Sequence, residues 1–211
     1  MQTFFFTAPI TFNLLVLNIL ISALTFLSQP QLIEKWGMKP YDVRRHKEWY
    51  RFITSGFLHG SWMHLLFNMI TLWSFGPYME QVLGSIGFLA VYMGSELAAN
   101  ALTYYKYKNN VMYNAVGASG AISGILLGFV LFEPFRRLVV LFFPMPAIVF
   151  AILYIAASIY AAKSDTHSNW GNIAHEAHLG GAIGGLLLTI ILKPVSLLIF
   201  LSQIAHFIGL G

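Results

Sequence analysis

Ser119 and His178 are the residues whose types could form a nucleophile and its base. Ser119 lies in the small-residue stretch NAVGASGAISG, and His178 lies in AHLGGAIGG. A serine hydroxyl is a weak nucleophile until a histidine within hydrogen-bond distance accepts its proton. Such a pair predicts attack on a carbonyl carbon and acyl transfer to water. The alternative for Ser119 alone is a hydroxyl bonded to its own helix backbone, which is common for serine in membrane helices.

His64 and Asn68 are the candidate donors to a developing oxyanion. They lie four residues apart in FLHGSWMHLLFNMITL and therefore share one helix face. Both side chains can donate hydrogen bonds, and a helix that starts at Ser119 offers backbone N–H groups as well. One preorganised donor of this kind contributes about 3–4 kcal/mol to acyl transfer. The alternative for each is ordinary hydrogen bonding between helices.

Glycines repeat on the helix faces that would carry the serine and the histidine. The glycines on these faces are Gly120, Gly124, Gly128, Gly181 and Gly185. Small residues at such spacing let two helix backbones approach closely. If the two helices pack through these faces and run in the same direction, Ser119 and His178 lie at similar depth and can meet.

The composition is typical of a membrane protein. Of 211 residues, 57% are hydrophobic and only 9% are charged, and the mean hydropathy is +0.69. Soluble domains carry about 25% charged residues, and barrel strands would alternate apolar with polar residues, which these apolar runs do not. We predict an all-α, polytopic membrane protein. The lack of cysteine excludes disulfides and thiolate sites, and no basic cluster indicates nucleic acid as a partner.

Six apolar segments are long enough to be predicted as membrane spans. They lie near residues 10–27, 57–76, 85–104, 115–133, 145–162 and 173–192. The polar segment 28–56 mixes basic and aromatic residues, so we expect a long loop in the interfacial layer between the first two helices. We predict one domain over residues 1–193. The apolar stretch 194–211 is short for a span and predicts a partial seventh helix, an interfacial helix or a tail.

Basic residues are distributed unevenly between the two sides of the predicted bundle. Assigning the loops to alternate sides puts nine of the twelve lysines and arginines on the side of segment 28–56. The positive-inside rule would therefore place this segment in the cytoplasm.

Three short motifs occur in order along these helices. HGSWMHLLFN contains H-x-x-x-N, GASG is G-x-S-G, and AHLGGAIGG is A-H-x-x-G-x-x-x-G. Together they resemble the rhomboid family of intramembrane serine proteases. YRFIT in the 28–56 loop resembles the family's Trp-Arg motif, with Arg51 retained and Tyr50 in place of tryptophan. The further residues that match the family's motifs are Gly76, Glu80, Gly117, Gly120, Gly181 and Gly185.

The resemblance implies a six-helix core and a Ser119–His178 dyad with no third acid, no cofactor and no metal. His178 would accept the serine proton and return it to the leaving amine. His64, Asn68 and the Ser119 N–H would bind the oxyanion. The substrates would be transmembrane protein segments, cleaved at or just inside the bilayer surface among membrane lipids.

The resemblance also implies a multi-pass protein of the bacterial inner membrane, with segment 28–56 outside the cell. This orientation contradicts the distribution of basic residues. We follow the family because a loop that lies in the membrane plane is a poor test of the charge rule.

Other functions remain open at this point. HEAH places Glu176 between His175 and His178, but the zinc protease motif H-E-x-x-H needs histidines four residues apart and these are three apart. A transporter using His64 and these two histidines predicts proton or metal flux. A catalytically silent relative would bind transmembrane helices without cutting them, although both dyad residues are present. Glu96, in the third span, is expected to be a structural partner of a nearby polar group.

Overall fold

The fold is almost entirely helical, as predicted. The computed structural model describes residues 7–140, 143–163 and 175–210. The helices are α1 (Pro9–Leu27), α2 (Leu32–Trp36), α3 (Pro40–His46), α4 (Arg51–Thr54), α5 (Trp62–Tyr107), α6 (Ser119–Phe132), α7 (Ala147–Lys163), α8 (His175–Leu192) and α9 (Val195–Phe207). A 3-10 turn, Ser55–Phe57, follows α4.

A small β-hairpin between α6 and α7 was not predicted. Strands β1 (Arg137–Val140) and β2 (Phe143–Pro146) pair antiparallel, with Arg137 opposite Pro146. Both strands are apolar, so their hydropathy merges with that of the neighbouring helices and the sequence pattern gives no separate signal. The all-α class is confirmed, with this hairpin as an addition.

The long apolar helices identify a membrane protein. Within the described residues, α1 and α5 are long and apolar enough to cross a membrane, and α8 with α9 makes a third span if this bent pair counts as one. Helix α6 and residues Ala147–Ala156 of α7 are apolar but shorter. Each predicted span coincides largely with a helix, and the count of six crossings stays a prediction.

The second and third predicted spans form one helical run with a sharp break. Within α5, Gly84 has a φ of 73° and a ψ of 160°. Only glycine adopts this left-handed region without strain, and a Cβ at Gly84 would meet no atom within 4 Å, so the backbone conformation alone requires it. The run starts at Trp62 rather than at 57, because the Ser61 hydroxyl caps it by accepting from the His64 N–H at 3.2 Å.

Glu80, in the first half of α5, holds the start of α1. Its Oε1 accepts from the Ile10 N–H at 3.0 Å, and its Oε2 accepts from the N–H and the hydroxyl of Thr11, both at 2.8 Å. The first amides of a helix have no partner inside that helix, and the N-cap residue of α1, Ala8, supplies no side-chain acceptor. Glu80 therefore satisfies the amides that the chain leaves open at this end.

The 28–56 segment is a partly helical connection between α1 and α5. Helices α2, α3 and α4 lie within it. Met38 exchanges both backbone hydrogen bonds with Ala115, at 2.8 and 3.0 Å. This pairing ties the segment to the chain just ahead of α6.

The C-terminal stretch forms helix α9, which turns away from α8 by 104°. Its Gln203 side chain donates to the carbonyl of Phe132 at 2.7 Å, at the last residue of α6. Phe135 and Phe207 stack with their ring centroids 4.4 Å apart. The stretch is thus a helix packed on the end of α6, and its separation from a domain ending at residue 193 stays a prediction.

Helices α6 and α8 touch through their backbones along the glycine faces. A Cβ added to Gly181 would lie 2.6 Å from the carbonyl carbon of Gly120, and one added to Gly185 would lie 2.6 Å from that of Gly124. Between the first contact and the second, the position advances by four residues along α6 and by four along α8. The two helices therefore run in the same direction. The predicted packing of these two glycine faces is confirmed.

We predict that Gly181→Ala destabilises the fold. Its methyl group would have to displace backbone atoms of α6, and overpacking of this kind costs about 1–3 kcal/mol. The measurement is the midpoint of thermal unfolding in detergent. Gly60→Ala is the matched control, because a Cβ there would have its nearest neighbour, Val116 Cγ2, at 3.9 Å. Equal midpoints for the two variants would contradict the contact.

Candidate active site

Ser119 and His178 meet in the structure. The Oγ of Ser119 and the Nε2 of His178 lie 2.8 Å apart, and both residues are partly buried. The distance is within the range in which a histidine accepts a proton from a serine hydroxyl. The two helices bring them together because Ser119 starts α6, His178 lies in the first turn of α8, and the glycine faces hold both helices at one depth.

The serine lies at the positive end of a helix dipole. Ser119 is the first residue of α6, and the N-cap residue Ala118 makes no side-chain hydrogen bond. The first N–H groups of this helix and its positive end therefore face the region around the serine. Such a helix start favours negative charge.

His64 lies against the chain just ahead of the serine. A Cβ on Gly117 would be 2.6 Å from the His64 ring carbon Cε1, and Gly117 has a φ of 134°. Both the space and the backbone conformation require glycine there. The Gly117 N–H donates to the carbonyl of Ser55 at 3.0 Å, which fixes this turn to the segment ahead of α5.

Asn68 takes part in a buried chain of hydrogen bonds that sequence reasoning missed. Its Nδ2 lies 2.9 Å from His59 Nε2, and His59 Nδ1 lies 2.9 Å from the Ser22 hydroxyl. His59 is fully buried and packs edge-on against the His64 ring, with centroids 5.1 Å apart. The signal in the sequence was a second histidine close to His64. The partners of His59 come from α1 and from α5, and sequence spacing does not reveal them.

Tyr154 packs against the histidine of the pair. Its ring stacks on His178 with centroids 5.6 Å apart and planes inclined by 25°. Its hydroxyl lies 2.5 Å from the Ser123 Oγ on α6. Tyr154 was not predicted, because a single tyrosine in an apolar span carries no spacing that links it to His178.

Arg51, the matched residue of the loop motif, is a buried connector rather than a neighbour of the serine. Its guanidinium donates to the Glu48 carboxylate at 2.6 Å and to the carbonyls of Glu34 and Gly37 at 3.0 and 2.7 Å. Only 4% of its surface is exposed. Together with an ion pair to Asp42 of α3 at 3.8 Å, these contacts join α2, α3 and α4.

Glu176 has partners of its own near the start of α8. The Tyr113 hydroxyl donates to one of its oxygens at 2.5 Å, and Lys106 Nζ lies 3.7 Å from the other. Burial and this carboxylate together raise the pKa of Tyr113. Among the described residues no group of three or more His, Asp or Glu side chains is arranged to hold a metal ion. The His175 side chain, which the zinc interpretation needs, lies outside the described part of the chain.

Residues 46–195 match the Rhomboid domain family. This chain belongs to the rhomboid family. It is similar to Rhomboid protein 1, mitochondrial, of Saccharomyces cerevisiae, with 31% identity over 88% of this chain and 54% of that protein. It is also similar to the Bacillus subtilis protein named Putative rhomboid protease YdcA, with 37% identity over 67% of this chain and 66% of that protein.

A human relative shows a shorter match. Presenilin-associated rhomboid-like protein, mitochondrial, of Homo sapiens is 33% identical over 64% of this chain and 35% of that protein. The aligned part of the chain thus spans about a third to two thirds of the length of these relatives.

We predict that the Glu48–Arg51 contact makes stability depend on pH. The hydrogen bond from Arg51 lowers the pKa of the Glu48 carboxyl below its ordinary value of 4.5. A lowered carboxyl pKa stabilises the fold above the unfolded pKa, and this contribution is lost as the pH falls through the folded pKa.

The unfolding midpoint of Glu48→Gln should therefore lie below that of the wild type at pH 7. The difference should narrow as the pH falls below 4.5 and passes through the lowered pKa of Glu48. Thermal unfolding at a series of pH values measures it. A gap that is independent of pH would contradict the assignment.

Proposed function

We propose that this chain is an intramembrane serine endopeptidase that uses Ser119 and His178 as a catalytic dyad. The observation that carries the proposal is the 2.8 Å distance between Ser119 Oγ and His178 Nε2 at the start of two closely packed helices. Membership of the rhomboid family and the word protease in the name of the Bacillus subtilis relative support the same reaction.

The reaction proceeds in two halves. Ser119 Oγ attacks the carbonyl carbon of the scissile bond while its proton passes to His178 Nε2. The tetrahedral intermediate collapses, the C–N bond breaks, and His178 donates the proton to the leaving amine. Water then attacks the acyl-enzyme after losing a proton to His178, which returns it to Ser119 as the acid product leaves.

The ring of Tyr154 would help to orient the base. Stacked on His178, it restricts the orientation of the imidazole, so that Nε2 stays directed at the serine. The Ser123 hydroxyl holds Tyr154 in turn. Packing thereby contributes to the orientation of the base.

The oxyanion of the intermediate would be bound by N–H donors around the serine. The backbone N–H of Ser119 lies at the start of α6, and His64 lies beside Gly117. An amide side chain carries two N–H groups, and Asn68 directs its amide nitrogen at His59, so its second N–H can serve the oxyanion. Donors placed before the reaction stabilise the charge as it forms.

The proposed substrates are transmembrane segments of other membrane proteins, cleaved near the bilayer surface. Helix α6 has 14 residues and is about 21 Å long, against a hydrocarbon core of about 30 Å. Ser119 would therefore lie below one surface if the far end of α6 reaches the other. A substrate helix must unwind to expose its carbonyl there, which small residues permit.

We further propose that the protein contacts lipids on its apolar flanks and needs no metal or cofactor. We also propose that it resides in a bacterial inner membrane, with segment 28–56 outside the cell. The Bacillus subtilis relative is a bacterial protein. The yeast and human relatives are named as mitochondrial.

Substitution of either dyad residue tests the proposal. We expect Ser119→Ala and His178→Ala to lower cleavage of a single-span substrate by at least about a thousandfold, since dyad members act as a unit. Ser74→Ala is the matched control, because Ser74 is exposed and bonds only to the Ile70 carbonyl of its own helix. Near-normal cleavage by either dyad variant would overturn the proposal, and cleavage by no form would favour a silent relative.

Metal removal separates the dyad from the zinc interpretation. We expect EDTA and 1,10-phenanthroline to leave the cleavage rate unchanged, because the proposed chemistry uses only side chains and backbone donors. The rate before and after dialysis against each chelator is the measurement. A loss of activity that added Zn²⁺ restores would contradict the dyad mechanism.

A further inference from the structure

We propose that Glu96 is a positioning residue that caps the helix carrying Ser119 from a neighbouring helix. Glu96 lies in the second half of α5, is 4% exposed, and takes no part in the reaction described above. Its effect on catalysis rests on the proposed function, whereas its contact with α6 does not.

The contact reaches the helix position that a cap normally serves. Glu96 Oε2 accepts from the Ala121 N–H at 3.3 Å. Ala121 is the third residue of α6, whose amide usually bonds to the side chain of the N-cap residue. That residue is Ala118, which has no acceptor. The carboxylate of Glu96 therefore supplies the acceptor that the local sequence lacks.

The second oxygen connects the cap to the segment ahead of α5. Asn100 Nδ2 donates to Glu96 Oε1 at 2.8 Å. The same nitrogen lies 3.1 Å from the Ser55 Oγ and 3.0 Å from the Phe52 carbonyl. Since the Ser55 carbonyl also accepts from the Gly117 N–H, one network holds both sides of the turn that leads into Ser119.

Two glycines make room for this carboxylate. A Cβ on Gly56 would lie 2.7 Å from Glu96 Oε1, and a Cβ on Gly120 would lie 3.3 Å from Oε2. The carboxylate thus lies between the 3-10 turn ahead of α5 and the first turn of α6. Any side chain at Gly56 would force it out of this position.

A small cavity joins the cap to the serine. Its volume is about 20 Å³, and Glu96, Asn100, Ser55 and Ser119 line it. A polar cavity of about 10–15 Å³ is enough for one water molecule. Movement of the Glu96 side chain would therefore change the immediate surroundings of the Ser119 hydroxyl.

The partners of Glu96 suit a cap rather than an ion pair. Both of its described contacts are N–H donors, and the salt bridges found among the described residues do not include it. The same helix contains a second example, since Glu80 accepts from the first amides of α1. The two N–H donors offset part of the cost of burying this carboxyl group.

The test compares Glu96→Gln with Glu96→Met in the full-length protein. The two side chains have similar size, but only glutamine keeps an acceptor for the Ala121 amide. Leu97→Met, at a 41% exposed position on the same helix, is the control. The measurements are the rate and final extent of Ser119 labelling by a fluorophosphonate, kcat and KM for a single-span substrate, and hydrogen exchange of residues 117–124.

We expect Glu96→Met to lower the labelling rate constant and kcat by about tenfold to a hundredfold, because small displacements of a reacting group have effects of this size. KM should change by less than about twofold and labelling should still reach the wild-type extent, so the loss lies in each active site rather than in the folded fraction. Exchange over residues 117–124 should rise. Glu96→Gln should stay within about threefold of the wild type, because its single oxygen still accepts from Ala121 and the Asn100 amide keeps the Ser55 hydroxyl and the Phe52 carbonyl as acceptors.

Three results would overturn the proposal: Glu96→Met that behaves like Leu97→Met, Glu96→Gln as slow as Glu96→Met, or a lower extent of labelling with an unchanged rate constant. A wild-type protein that neither cleaves nor labels would overturn the proposed function instead. In that case hydrogen exchange still decides about the cap. Faster exchange over residues 117–124 in Glu96→Met alone would support the capping contact. Equal exchange in all forms would overturn it.

Discussion

Backbone contact between α6 and α8 is the constraint on which the rest of the site depends. Gly120 faces Gly181 and Gly124 faces Gly185 at distances that leave no space for a side chain. Side chains on other helix pairs can rearrange to absorb a shift, but two touching backbones cannot. A slip by one glycine step would move one helix about 6 Å past the other, which exceeds the reach of a hydrogen bond. The position of the dyad is therefore set by residues that have no chemistry of their own.

Helix α5 supplies the polar anchors of the fold. Its two buried acids, Glu80 and Glu96, each receive backbone N–H groups from the start of another helix. Inside a membrane protein an unpaired helix start and an unpaired carboxylate are both costly, and pairing them removes both costs. The break at Gly84 lies between the two acids. The half of α5 before the break contacts the start of α1, and the half after it contacts the start of α6.

The approach of Ser119 to His178 and the contact between the glycine faces could be predicted because a fixed spacing of small residues encodes a helix contact directly. Tyr154, His59 and the partner of Glu96 could not be predicted, for a physical reason. Each of these contacts depends on the rotation of a helix about its axis or on the position of a backbone amide. The residue types along the sequence carry neither kind of information. The helix boundaries near residues 57–62 and the hairpin after α6 were missed because hydropathy does not distinguish an apolar turn or strand from an apolar helix.

Helix α6 is held at both ends by side chains from outside it. Glu96 accepts from its first turn, and Gln203 of α9 donates to its last carbonyl, that of Phe132. The helix therefore has little freedom to slide along its axis or to fray. In the proposed reaction, the conformational entropy that a looser helix would lose in each cycle is instead lost once, during folding. Ser119 would then be ordered before a substrate binds, and binding energy would remain for unwinding the proposed substrate helix.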